Sequence, residues 1–210
     1  MRDMIRLYRA EWSTNCERVG LALAHKGLDA ESVVITYDDR SLVQAVSGQG
    51  LVPVIDADGE VVADSTRIIS WLEERHPEPP LFPPEPDERE RADEFIAWFN
   101  TEWKDVANAL EDELERDEPD PAQVERLGSI LQERLGRFEA MLADGREFLF
   151  GDRPGAADYI AYPFLKYAAR REEADTELFH VLLDDHQVLG PEHAGLSAWI
   201  ERVDALPRGY

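Results

Sequence analysis

The sequence predicts an α/β domain with a mixed four-stranded sheet, followed by an all-helical domain. Three observations lead to this prediction. Residues 1–76 have the order strand, helix, strand, short helix, strand, strand, helix; residues 77–86 contain six prolines; and the pattern beyond them is helical. A crossover unit followed by a hairpin requires both parallel and antiparallel strand pairs. We therefore expect a first domain of residues 1–76, a stiff linker of residues 77–86 and a helical domain of residues 87–210.

The first helix follows the first strand, and its start is a candidate anion site. Apolar or small residues recur at i, i+3, i+4, i+7 and i+8 over residues 16–24, which is the spacing of one helix face. Thr14 and Glu17 have the S/T-x-x-E spacing of a capping box, with Ser13 just outside it. Gly27 is placed to end the helix in a Schellman motif. The first-turn N–H groups and the helix dipole favour an anion at such a start.

Four strands and a second full helix complete the first domain. Apolar and β-branched runs predict the strands at residues 5–8, 32–36, 51–55 and 60–63. Residues 56–59, Asp-Ala-Asp-Gly, predict a hairpin turn because Asp-Gly accepts positive φ. The polar residues 38–50 predict a loop with a short helical piece near residues 42–46. Residues 64–66, Asp-Ser-Thr, begin a helix that ends before Pro77.

The chain beyond the linker has the periodicity of amphipathic helices. A long helix is predicted from Asp87, and Pro119 and Pro121 break it. Further helices are predicted over residues 124–142, from about residue 156, over 178–183 and over 196–203. Asp158 is placed to bond the backbone N–H of Gly155 and so cap the helix near residue 156.

Composition and charge exclude several functional classes. A net charge of −23 argues against nucleic-acid binding, which needs a basic surface. The sequence contains no apolar run of the roughly 18 residues that a membrane span needs, and the first residues lack the apolar core of a signal peptide. A single cysteine and histidines without ligand spacing predict no disulfide and no metal site. We expect a cytoplasmic protein with no membrane partner.

Four motifs, in order, carry a resemblance to a known family. They are S-T-N-C-E-R-V-G-L-A-L-A-H-K-G-L (13–28), G-L-V-P-V-I (50–55), D-S-T-R-I-I-S-W-L (64–72) and F-L-F-G-D-R-P-G-A-A-D-Y-I-A-Y-P-F-L (148–165). With these motifs the chain resembles the soluble glutathione transferases over nearly its whole length, and is similar to serine-type bacterial members of the tau, zeta and omega kind. The resemblance implies a thioredoxin-like N-terminal domain and a helical C-terminal domain.

The resemblance also implies an activity and a catalytic residue. Ser13 aligns with the family's activating residue, whose hydroxyl donates a hydrogen bond to the glutathione sulfur. Glutathione would be the co-substrate, no metal would be needed, and a small hydrophobic electrophile would bind between the domains. Family relatives are usually homodimers, and we expect one here. Because the first position of the motif is serine, Cys16 is predicted to be a buried structural thiol rather than a redox centre.

Several further residues align with the family's glutathione site. A cis Pro53 would let Val52 present its backbone to the cysteinyl part of glutathione. Ser65 would receive the γ-glutamyl carboxylate and Asp64 would face its ammonium. The glycine carboxylate has two candidates, Arg40 and Gln49, and the electrophile pocket has three, Trp12, Trp98 and Trp103.

Departures from the family pattern leave alternatives open. Thr14 replaces the usual proline and Leu51 an often-present lysine, and Ser47-Gly48 stands where the family has Asn-Pro. Ser13, Asp64 and Ser65 could be turn or cap residues only, and the tryptophans could be core. Three functions therefore remain: glutathione conjugation, glutathione-dependent isomerisation, and a non-catalytic binding or stress-response protein with the same fold.

Overall fold

The structure, a computed structural model, describes residues 4–36 and 38–210. It divides into two compact units. The first runs up to Pro84 and also includes Leu206–Tyr210, and the second is Glu85–Ala205. The sequence-based division differs at both ends, since it ended the first domain at residue 76 and assigned residues 206–210 to the helical domain. Specific contacts explain both differences, as described below.

The first unit contains a four-stranded mixed sheet, as predicted. Its elements are β1 (Ile5–Arg9), α1 (Thr14–His25), β2 (Glu31–Val34), α2 (Ser41–Ser47), β3 (Val54–Ala57), β4 (Glu60–Ala63) and α3 (Ser65–Arg75). The strand order is β2-β1-β3-β4, with β1 parallel to β2 and antiparallel to β3, and β3 antiparallel to β4. Strand β3 begins later than predicted because Pro53 has no N–H to give to the ladder.

The β3–β4 hairpin turns where the sequence predicted. Ala57 pairs with Glu60, which leaves Asp58 and Gly59 as a two-residue turn. Their φ angles of 52° and 94° are both positive, as a type I′ turn requires. The turn thus fixes the register of the two strands.

The prediction for α1 is confirmed at its C-terminus and wrong at its N-terminus. Its C-terminus is the predicted Schellman motif, in which the N–H of Leu28 donates to the carbonyl of Leu23 at 2.9 Å. The predicted Thr14–Glu17 capping box is wrong. Ser13 is the N-cap, Thr14 is the first helical residue, and Glu17 pairs instead with Arg208.

The proline-rich stretch belongs to the first unit because it is bonded to α1 and α3. Lys26 Nζ lies 2.5 Å from Glu73 Oε2 and 2.7 Å from the carbonyl of Pro79. Glu73 also accepts the N–H of Leu81, whose side chain is buried beside that of Phe82. These hydrogen bonds therefore fasten the stretch to this unit.

The second unit is helical. It contains α4 (Pro86–Trp98), a π-helical turn (Phe99–Trp103), α5 (Lys104–Leu114), α6 (Pro121–Leu142), α7 (Ala156–Leu165), α8 (Leu178–His186) and α9 (Ala194–Asp204), with short 3₁₀ turns at Lys166–Ala168 and Pro191–His193. The long helix predicted from Asp87 thus continues through a π-helical turn that the sequence did not indicate. The second unit has an aromatic core, whose centre is formed by Phe95, Phe99 and Phe138. Over the part of the chain that the structure describes, no helix is both long and apolar enough to cross a membrane.

Candidate active site

The loop between β1 and α1 presents the Ser13 hydroxyl at a helix start. Trp12 has a φ of 63°, which is rare for a residue with a side chain and turns the chain sharply before Ser13. Ser13 is partly buried, and its Oγ accepts the N–H of Cys16 at 3.3 Å. Since this bond uses only an oxygen lone pair, the hydroxyl keeps a hydrogen to donate.

Cys16, in the first turn of α1, is a buried structural thiol, as predicted. Its side chain is 1% exposed. Burial raises the pKa of the Cys16 thiol, while a hydrogen bond with Ser13 and the charges of Arg9 and Arg40 oppose that rise. A buried thiol with a raised pKa stays protonated and is a poor nucleophile. Cys16 therefore does not supply a nucleophile at this helix start.

The Val52–Pro53 peptide bond is cis, as predicted. Strand β3 pairs with β1 so that Val54 lies opposite Tyr8. Extending this antiparallel register by two residues brings Val52 opposite Ala10, just before the loop that holds Ser13. The backbone of Val52 and the Ser13 hydroxyl therefore lie at the same end of the sheet.

The start of α3 carries a second group of polar atoms. Asp64, with a φ of 79°, accepts the N–H groups of Thr66 and Arg67, both at 3.0 Å. Ser65 is 3% exposed, and its Oγ accepts a hydrogen bond from Arg18 Nη1 at 3.2 Å. The Asp64 carboxylate thus caps α3 in this structure, and Ser65 lies against a cation.

Arg18 is the residue of this group that the sequence reasoning missed. It is 1% exposed, and burial lowers its pKa to about 9, with the charge of Asp64 acting in the opposite direction. A buried guanidinium beside Ser65 makes the α3 start attractive to a carboxylate. The arginine of the S-T-N-C-E-R-V motif was the available signal, because the apolar stripe over residues 16–24 lies on the other side of α1 and did not indicate that Arg18 is buried.

The two candidates for the glycine carboxylate lie at opposite ends of α2, with Arg40 just before this helix and Gln49 in the loop between it and Pro53. The Gln49 side chain folds back on this loop, where its Nε2 donates to the carbonyl of Leu51 at 2.9 Å and its Oε1 accepts the N–H of Leu51. Arg40 Nη1 donates to the carbonyl of Gly50 at 3.5 Å. Leu51 itself is 75% exposed. Arg40 thus supplies a positive charge on this side of the sheet.

Comparisons with known proteins identify the family. Residues 7–80 match the glutathione S-transferase N-terminal domain and residues 121–202 the C-terminal domain. The chain is 35% identical to the maleylacetoacetate isomerase of Pseudomonas aeruginosa over 176 residues, which cover 80% of this chain and 82% of that protein. The chain belongs to the glutathione S-transferase family. The resemblance to this family, the fold and the assignment to a family of enzymes are thereby confirmed, and the serine-type assignment stays a prediction.

Two other members of the glutathione S-transferase family extend this comparison. The chain is 30% identical to the maleylpyruvate isomerase of a Ralstonia species over 81% of this chain and 85% of that protein. It superposes with a TM-score of 0.69 and 27% identity on a glutathione S-transferase from Methylobacterium radiotolerans in complex with glutathione sulfonate, covering 97% of this chain and 95% of that one.

The three tryptophans proposed for an electrophile pocket have different surroundings. Trp103 has no exposed surface, stacks on Phe99 at 4.6 Å between ring centroids and meets Phe164 edge-on. It therefore packs as a core residue of the helical unit and offers no side-chain surface to a ligand. Trp98 is partly buried beneath Arg137, and Trp12 is partly buried in the Ser13 loop. Among the described residues, no group of three or more His, Cys, Asp and Glu side chains could hold a metal ion.

Proposed function

We propose that this chain uses the Ser13 hydroxyl to stabilise the thiolate of glutathione for attack on a small hydrophobic electrophile. The observation that carries the proposal is the Ser13 hydroxyl at the start of α1, which caps the helix through its oxygen and retains a hydrogen. A thiolate is charged and is the stronger acceptor, so a bound glutathione sulfur takes this hydrogen.

The energies are sufficient for activation near neutral pH. A free thiol has a pKa of about 8.5. A hydrogen bond to a charged group contributes about 1.5–3 kcal/mol and a helix start about 0.3–1 kcal/mol. Since one pKa unit corresponds to about 1.4 kcal/mol, these two effects together lower the thiol pKa by about one to three units.

The remaining polar groups provide contacts for the rest of glutathione. Ser65, with Arg18 behind it, is proposed to hold the γ-glutamyl carboxylate, and Asp64 its ammonium through the oxygen that does not cap α3. The backbone of Val52, set by the cis Pro53, is proposed to bond the cysteinyl part. The glutathione sulfonate complex of the Methylobacterium relative supports the choice of thiol.

A second reaction, glutathione-dependent isomerisation, is favoured by the names of two relatives. Both the Pseudomonas and Ralstonia proteins are isomerases of maleyl compounds. In such a reaction the thiolate adds to a carbon–carbon double bond, rotation follows, and the thiolate leaves again, so glutathione is regenerated. The same Ser13 chemistry serves both reactions. A homodimer, a cytoplasmic location and the non-catalytic alternative remain predictions of the sequence.

The test combines calorimetry with a conjugation assay on an aryl halide and an isomerisation assay on a maleyl substrate. Ser13→Ala should keep glutathione affinity within about threefold but lose about 10- to 100-fold in kcat/KM, the cost of one charge-assisted hydrogen bond. Ser129→Ala, on an exposed position of α6, is the matched control and should behave as wild type. Absence of binding at millimolar glutathione would overturn the proposal and favour the non-catalytic alternative.

A further inference from the structure

The segment of residues 206–210 lies along α1 in the first unit. The N–H of Gly209 donates to the carbonyl of Gly20 at 2.9 Å, and the carbonyl of Gly209 accepts the N–H of Ala30 at 2.8 Å. The guanidinium of Arg9 lies 4.4 Å from the centre of the Tyr210 ring. The 206–210 segment is therefore bonded to the same helix that carries Ser13.

Two glycines permit this close approach. A Cβ atom on Gly20 would lie 2.2 Å from the ring of Tyr210, which packs directly on the helix backbone. A Cβ atom on Gly209 would lie 2.4 Å from the carbonyl oxygen of Leu28. Because each glycine serves a contact between α1 and the segment, the two surfaces are complementary in shape.

The segment also brings a positive charge to the first turn of α1. Arg208 Nη2 lies 2.5 Å from Glu17 Oε1, and the two side chains are only 19% and 13% exposed. Glu17 lies four residues after Ser13, and its N–H donates to the Ser13 carbonyl at 3.0 Å. A carboxylate in this position favours the helix but repels an anion bound at the helix start. Arg208 offsets that repulsion.

We propose that Arg208 is a positioning residue of the thiolate site, which neutralises Glu17 so that the positive start of α1 acts on the bound sulfur. This inference rests on the function proposed above. Glycines 20 and 209 hold the segment in place, and the ion pair is its functional part. The segment thus adds to the site a charge that lies 191 residues from Glu17 along the chain.

Other charged groups lie around this helix start, and the charges of Arg9 and Arg40 also act on Cys16. Arg9 is bonded to Ser32 Oγ at 2.7 Å on β2, and Arg40 bonds the loop before Pro53. Arg18 and Asp64 lie at the α3 start. Arg208 forms a salt bridge with Glu17.

The test is the pKa of the thiol of bound glutathione, measured by thiolate absorbance against pH in wild type, Arg208→Ala, Glu17→Gln and the double variant. Arg208→Ala should raise this pKa by about 0.5 unit, because the loss of a nearby positive charge disfavours the thiolate. Glu17→Gln should lower it by a similar amount, and the double variant should return close to wild type. Arg208→Lys should restore the wild-type value because it keeps the charge.

A purely structural role predicts a different pattern. The two single variants would then lower stability without shifting the thiol pKa in opposite directions, and this result would overturn the inference while leaving the proposed function intact. If Arg208→Ala fails to fold, the shift in Glu17→Gln decides alone. Gly20→Ala, which displaces Tyr210, should shift the pKa as Arg208→Ala does, whereas Gly136→Ala, in open space on α6, should not. Absence of glutathione binding by wild type would overturn both proposals.

Discussion

At the start of both α1 and α7 a polar side chain accepts backbone N–H groups, from the N-cap position in α1 and from the third helical position in α7, but these two caps differ in the hydrogen-bonding groups that they leave available. At α7, Asp158 accepts the N–H groups of Leu149 and Gly155, each at 2.9 Å, and the indole N–H of Trp199 at 2.7 Å. At α1, Ser13 accepts one N–H and is partly buried. A capping side chain whose hydrogen bonds are all to protein groups stabilises the fold. A capping side chain that still has a hydrogen to donate can also bind a ligand.

The two caps also differ in the electrostatic cost of burying them. Asp158 is 1% exposed, and burial raises its pKa to about 6, although its three hydrogen bonds oppose this rise. The Ser13 hydroxyl carries no charge and has no such cost of burial. A neutral donor at a helix start can therefore be kept ready for an anion, which a buried carboxylate cannot.

The largest effect should come from removing the α7 cap. Asp158→Ala leaves three buried donors without their acceptor, so we expect the free energy of unfolding to fall by about 3–5 kcal/mol. Chemical denaturation of the whole chain measures it. Asp120→Ala is the matched control, because Asp120 caps α6 at the surface through one N–H of Ala122, and should cost about 1 kcal/mol. Equal losses in the two variants would remove the distinction between a closed buried cap and an ordinary one.

The sequence predicted the α7 cap correctly and the α1 cap incorrectly, and the reason is physical. Asp158 and Gly155 are three residues apart, so a local rule finds them. The same kind of rule paired Thr14 with Glu17, but Glu17 is bonded to Arg208, far along the chain. A capping box is recognised from spacing alone, and spacing cannot show that a distant residue competes for one of its members.

The same distinction runs through the rest of the molecule. The hairpin at Asp58–Gly59 and the Schellman motif at Gly27 follow from local conformational preferences, and both were predicted. The bond between Arg18 and Ser65 joins two helices and leaves no periodic signal. The π-helical turn at Phe99–Trp103 is also invisible to a helical pattern, because one additional residue in a turn changes the phase and not the composition.

A second, smaller effect should appear in the pH dependence of stability. The pKa of Asp158 is about 6 in the folded chain against an ordinary 3.8, so between these values the folded chain holds a proton that the unfolded chain has lost. The resulting stabilisation is complete below about pH 3.8 and is lost as pH rises through about 6. Relative to Asp158→Asn, wild type should therefore gain about 2–3 kcal/mol between pH 7 and pH 4. If the free energy of unfolding changes with pH in parallel in the two proteins, burial does not raise the pKa of the Asp158 carboxyl.

The smallest effect on stability should come from the α1 cap. Ser13→Ala removes one hydrogen bond of 3.3 Å to a partly buried N–H, so it should cost about 0.5–1 kcal/mol of unfolding free energy, at the low end for a cap. The same variant is expected to lose most of the activity, so stability and catalysis should separate at this residue. Ser13→Thr keeps an oxygen for the cap and a hydrogen for the ligand, and should retain part of both. A loss of several kcal/mol in Ser13→Ala would mean that Ser13 is a structural cap of α1, as Asp158 is of α7. A hydroxyl that the fold needs in this way could not reorient to donate to a bound sulfur.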